Sequence, residues 1–121
     1  LVTDAEGNPV NSMYFWLTGV LSGFLDNAPT YLVFFNIAGS SVAEGSMIAE
    51  YLMRQVPNTL MAISAGAVFM GAMTYIGNAP NFMVQSIAEE NNVKMPSFFG
   101  YMLWSIFILI PIYFVLGFIM F

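Results

Sequence analysis

Asp26 is an isolated ionisable residue inside a long apolar run, and the tripeptide after it, Asn27-Ala28-Pro29, recurs later in the chain as Asn78-Ala79-Pro80. The flanking segments FLDNAPTYLV (Phe24 to Val33) and YIGNAPNFMV (Tyr75 to Val84) match as identical or similar at most positions, with Asp26 against Gly77 as the conspicuous mismatch. An uncompensated carboxylate at mid-membrane costs roughly 2.5 to 3.5 kcal/mol on insertion scales. Asp26 is therefore expected to be protonated or paired with a cation. Desolvation favours the neutral acid and a nearby cation favours the ionised one, so a proton and a sodium ion would compete for the same oxygens, a minimal exchange mechanism. Asn27, Thr30, Asn78, Asn81 and exposed carbonyls supply the further hard oxygens that an alkali cation prefers, with Asp26, Asn27 and Asn78 as the candidate sodium ligands. The alternative for Asp26 is a helix N-cap or a turn at the membrane surface, because Asp and Asn before Pro are ordinary turn formers. Asn36 and Ser22 either face the same path or bond across helices.

Chemistry of this kind needs helices that stop inside the membrane. Proline removes a backbone donor and disfavours the helical region for the residue before it, so both apolar runs are expected to break at their Asn-Ala-Pro, with Ala28, Pro29, Gly77, Ala79 and Pro80 in the breaks. Broken backbone is tolerated in hydrocarbon only where it lines a cavity or is buried in protein. Met13 to Leu25 would cover about 20 Å as a helix at ~1.5 Å per residue, short of a bilayer core of ~30 Å. With Thr30 to Ala43 it forms two short arms, read as a re-entrant helical hairpin over residues 13–43; a single proline-kinked span is the alternative. Residues 1–12 read as an extramembrane loop. Residues 44–58 place Met47, Ile48, Tyr51, Leu52 and Val56 at helical spacing, an amphipathic interfacial helix. Residues 59–92 read as a discontinuous transmembrane helix rich in small packing residues, Gly66 and Gly71 among them. Residues 97–121 read as a full transmembrane helix, charge-free from Phe98 on. Tyr14, Trp16, Tyr101 and Trp104 look like interfacial belt aromatics, and Pro111 is a candidate kink.

The composition sets the class: 59% of the 121 residues are hydrophobic and 7% charged, which reads as an integral all-α membrane protein with the lipid bilayer as its partner. A net charge of −5 argues against nucleic-acid binding, and the absence of Cys and His removes disulfides, Cys/His metal sites and His or Cys catalysis. The expectation is a non-enzyme without cofactor whose cargo is sodium and protons. An intramembrane aspartyl protease would need a second buried acid, and the remaining acids, Asp4, Glu6, Glu44, Glu50, Glu89 and Glu90, lie in polar connections. A purely structural subunit would explain neither the repeat nor the buried charge. The acidic, turn-rich opening LVTDAEGNPVN differs from a signal peptide, and the chain reads as part of a longer protein.

The stretches GVLSGFLDNAPTYLVFFNIAG and GAVFMGAMTYIGNAPNFMVQSIAEENNVKMPSFFGYMLW resemble the C-terminal part of bacterial sodium/proton antiporters of the NhaD type, citrate-transporter-like members of the ion transporter superfamily. The resemblance runs from Met13 to the end. It implies one repeat of an inverted-repeat transporter in the bacterial inner membrane, partnered by an N-terminal repeat and compatible with a homo-oligomer. Asp26 to Thr30 would then be the hairpin tip and Gly77 to Asn81 the unwound centre of the broken helix. Relatives that carry dicarboxylates typically show Ser-Asn-Thr at these breaks, and Asn-Ala-Pro with Asp26 added points toward cation exchange. Sodium-coupled citrate or dicarboxylate transport is the alternative.

Overall fold

The computed structural model describes residues 1–42 and 45–121, so the expected end of the hairpin at Ala43 and start of the interfacial helix at Glu44 lie outside the described residues. The chain is all-helical apart from one isolated bridge, Thr3 to Pro9. That bridge closes a tight N-terminal turn in which Gly7 adopts φ +85°, a conformation glycine takes at no steric cost. The Asp4 carboxylate accepts from the amides of Asn8 (2.8 Å) and Glu6 (3.0 Å). These bonds, that from Asn8 first, hold the Asp4 carboxyl below its ordinary pKa.

Among the described residues six helices follow: α1 (Asn11–Ser22), α2 (Asn27–Ala38), α3 (Gly45–Arg54), α4 (Pro57–Met70), α5 (Ala79–Glu90) and α6 (Phe98–Met120), with a 3-10 turn at Gly71–Met73 continuing α4. The prolines define where α2, α4 and α5 begin. Pro57 and Pro80 stand at the first or second helical position, where a missing N–H costs nothing because that group has no intrahelical acceptor anyway. Pro29 is likewise in the first turn of α2. The interruptions therefore lie one step earlier than the tripeptides imply. The first gap is Gly23 to Asp26, and the second runs from the 3-10 turn at Gly71 to Asn78. Ala28, Pro29, Ala79, Pro80 and Asn81 are helical, and Gly77 alone of the expected break residues lies in a gap.

The chain turns back on itself at the first gap. Tyr14 and Phe34 meet edge to face with ring centroids 6.4 Å apart, whereas a straight continuation of α1 into α2 would separate them by about 30 Å at 1.5 Å per residue. α1 lies along α4, and two glycines make that approach possible: a Cβ on Gly66 would fall 3.2 Å from the Gly19 backbone nitrogen and closer still to the Phe15 carbonyl. Gly66 thus serves close packing, as its setting among small residues implies. Tyr14, Phe15, Phe34, Ala62, Ile63, Ala65, Met70 and Tyr113 form the shared core.

α3 meets α4 at a bend of 100°. It buries Leu52 completely, leaves Met47 and Met53 exposed, and carries an exposed Glu50–Arg54 pair (3.3 Å) that contributes little to stability. Among the described residues α6 is the one helix long and apolar enough to cross a membrane unaided, and the bent α3–α4 pair passes the same test when taken together. Pro111 sits inside α6 without ending it. α6 turns large apolar side chains outward, Phe107 and Phe118 among them, and holds the rest of the fold through a few contacts such as Trp16–Phe114 (4.7 Å) and Phe15–Phe121 (5.4 Å).

Candidate functional site: two docked helix breaks

Each gap releases backbone groups that a helix would have paired, and each such group must find a partner or pay for desolvation. Here the two gaps supply partners to one another. Thr74, fully buried in the second gap, donates its hydroxyl to the Gly23 carbonyl in the first (2.5 Å) and accepts from the amides of Gly77 (2.9 Å) and Ile76 (3.2 Å). Asn81, on the first turn of α5, donates to the carbonyls of Gly71 (2.9 Å) and Thr74 (3.0 Å), clamping both ends of the second gap. Asn27 reaches across from the other side. Its amide nitrogen, assigned by the acceptors around it, lies 2.8 Å from the Ala67 carbonyl, 2.9 Å from Ser22 Oγ and 3.3 Å from the Gly77 carbonyl. The Ser22 hydroxyl itself donates to the Ala67 carbonyl (2.6 Å).

At the centre is Gly77. A Cβ built there would lie 2.6 Å from the Gly71 carbonyl oxygen and 3.0 Å from those of Gly23 and Ser22. Three carbonyl oxygens, one from the end of α1 and one from each gap, therefore crowd the Gly77 Cα and leave no room for a side chain. The Asp26/Gly77 mismatch in the repeat has a physical reason. At the first gap the side chain caps α2, Asp26 accepting from the Asn27 amide (2.7 Å), whereas at the second gap there is no room for a side chain. Gly71 belongs to this arrangement as well, since its Cβ would strike the Asn27 amide group and come within 3.2 Å of the Gly77 carbonyl. It does more than pack helices.

The expected site residues thus fall into different positions. Asn27 and Asn81 join the two gaps. Asp26 is exposed on this chain and occupies the N-cap position named as its alternative. Asn78 is half-buried at the N-cap of α5 and makes no side-chain cap bond. Thr30 is completely buried on α2, and its hydroxyl has no partner among the described residues. Asn36 bonds its own helix at the Leu32 carbonyl (2.7 Å). No cluster of three or more acidic, His or Cys side chains occurs among the described residues, so a cation here would depend on carbonyl, amide and hydroxyl oxygens with Asp26. Sequence reasoning missed Thr74, Gly23 and Gly71. The one sign of Thr74 is that it is a hydroxyl three residues before the second glycine of the gap, inside an otherwise apolar run.

α6 completes the site from behind. Tyr101 donates to the Ala72 carbonyl (2.9 Å), Tyr113 donates to the Phe69 carbonyl, and Tyr75 stacks on Tyr101 at 4.3 Å. Tyr101 is thus a donor to the unwound end of α4, and Tyr14 is a core residue, 2% exposed, whereas Trp104, at 66%, faces outward. Tyr101→Phe keeps the stack and deletes one bond to a freed carbonyl. It is expected to lower unfolding stability by about 1 kcal/mol, read by thermal or denaturant unfolding in detergent.

Paired helix breaks packed against each other beside a long apolar helix are a design of membrane transport proteins, in which half-helix ends face the cargo. Over residues 1–121 the chain matches the family model described as putative citrate transport, and it belongs to that family. No curated protein and no solved structure gave a match. Membership of that family points to membrane transport.

Proposed function

We propose that the chain is the ion-binding repeat of a secondary transporter that exchanges sodium for protons. In this reading α1 and α2 form a re-entrant hairpin, α4 and α5 are the halves of a broken membrane helix, and a second repeat supplies the remaining ligands. The observation that carries the reading is the docking of the two gaps, which gathers the carbonyls of Ser22, Gly23 and Gly71, at the ends of two half-helices, around one residue, Gly77. Sodium would rest against these oxygens, with Asp26 as the acid that gives up its proton when the cation arrives. Asn27 and Asn81 hold the two gaps in register, Asn78 borders the same gap, and Thr30 stands one turn behind Asp26 with a spare hydroxyl.

Asp26→Asn tests the assignment cleanly, because Asn caps a helix about as well as Asp and the fold should be kept. In everted vesicles the variant is expected to lose sodium-dependent proton release while its unfolding temperature stays close to that of the parent. Undiminished release would remove Asp26 from the mechanism.

A second reading, sodium-coupled uptake of citrate or another carboxylate, is favoured by the family description and by the start of α5, where no side chain caps the first amides. The Asp26 carboxylate accepts from the first amide of α2 and sets a negative charge at that helix end, which leaves an anion one half-helix and not two. Radiolabelled citrate accumulation driven by a sodium gradient would decide for this reading; proton movement without citrate uptake would decide for exchange.

A further inference from the structure

Inside the α1–α2 turn-back the paired positions can be read from two contacts. Tyr14 meets Phe34 at the base, and Ser22 meets Asn27 next to the gap. Antiparallel helices joined at those two levels bring Thr18 of α1 opposite Thr30 of α2 halfway between, one helical turn from each contact. Both threonines are completely buried, and the hydroxyl of neither has a hydrogen-bond partner among the described residues. One such hydroxyl is an anomaly; two at one level of one seam are a site. A threonine hydroxyl offers one donor and two lone pairs, and a buried polar group left unmade is costly in an apolar surround. The ligand that matches two facing neutral hydroxyls is water, which needs two to four polar partners and is commonly retained where side chains leave polar atoms unpaired.

We propose that Thr18 and Thr30 hold a water molecule between α1 and α2, an internal hydration site one turn below the docked gaps. The site makes the interior of the turn-back alternate along its length: an aromatic pair at Tyr14 and Phe34, a hydrated pair at Thr18 and Thr30, and a direct polar contact at Ser22 and Asn27. It depends on no assumption about the transported species.

Radiolytic footprinting of the protein in lipid nanodiscs tests this, since hydroxyl radicals born from a bound water oxidise the side chains beside it. Tyr14 and Phe34, both shielded from bulk solvent, are expected to be oxidised several-fold faster than Phe15, which is completely buried and packs on Trp16 and Phe121. Oxygen-18 from labelled water should appear in their products. The pair Thr18→Val with Thr30→Val is expected to abolish this excess and leave Phe15 unchanged. Thr18→Ser with Thr30→Ser retains both hydroxyls and is expected to preserve it, and this pair carries the test should the valine pair fail to fold. Oxidation of Tyr14 and Phe34 at the Phe15 rate, or an excess that survives in the valine pair, would overturn the proposal.

Discussion

Gly77→Ala is expected to separate the two gaps and to do so through a single methyl group. The added carbon would stand 2.6 Å from the Gly71 carbonyl oxygen and 3.0 Å from two more, and all three neighbours are backbone atoms that cannot rotate away. Relief requires moving the end of α1 or the 3-10 turn, and each movement stretches the Thr74–Gly23 bond or the Asn27 contacts. Overpacking of this kind costs about 2 to 3 kcal/mol, which thermal unfolding in detergent would read directly. The same shift would displace the Ser22, Gly23 and Gly71 carbonyls, the oxygens assigned to the cation. Sodium that binds the folded state raises its stability by mass action, so the parent protein should melt at a higher temperature in sodium chloride than in choline chloride, and the variant should show no such difference. Gly117→Ala is the matched control: its nearest neighbour would be an aromatic carbon of Phe15 at 3.5 Å, ordinary contact, and both readouts should stay near the parent values. A Gly77→Ala protein that melts normally and keeps the sodium response would show that the three carbonyls are not a binding spot.

How much of this could be read from the sequence depended on whether a feature is local. The repeated Asn-Ala-Pro marks both interruptions because a proline constrains its own neighbourhood, and α6 is legible because length and uninterrupted apolarity are properties of one segment. The exact limits of the gaps were not legible. Proline forbids a helix behind it as firmly as it permits one ahead of it, so Pro29 and Pro80 open α2 and α5 while the unwound residues lie upstream. What joins the gaps was hidden for a different reason. Thr74 is a lone hydroxyl among apolar neighbours, and its importance arises from Gly23, which only the folded chain brings to it. Tyr101 and Tyr113 carry the same lesson: an aromatic residue in an apolar run reads as a lipid anchor until a freed carbonyl appears opposite its hydroxyl. The Asp26/Gly77 mismatch was visible from the first alignment, but its cause, a space too small for any side chain at the second copy, is a fact of three dimensions.

Thr74→Val is expected to be the most damaging isosteric change in the chain. Valine keeps the branched shape, but a methyl in place of the hydroxyl would stand too close to the Gly23 carbonyl, which lies 2.5 Å from the oxygen it replaces, so the side chain must turn toward the apolar cavity of about 90 Å³ that it borders with Trp16, Met70 and Ile106. What disappears is one donor and one acceptor serving three backbone groups: the Gly23 carbonyl and the amides of Gly77 and Ile76. With these buried groups unpaired at about 1 to 3 kcal/mol each, and with relaxation recovering part of the loss, unfolding stability should fall by about 2 to 4 kcal/mol. Thr74→Ser restores the oxygen and removes only a methyl, and it should recover most of that stability. The contrast sets the hydroxyl against a methyl in its place. It also separates a fold held by apolar contact from one held at the gaps: if the valine protein is as stable as the serine protein, the α1–α4 packing suffices and the polar connection between the breaks is incidental. Should serine rescue both stability and the sodium response while valine loses both, the bond from Thr74 to Gly23 is what makes two separate interruptions into one site.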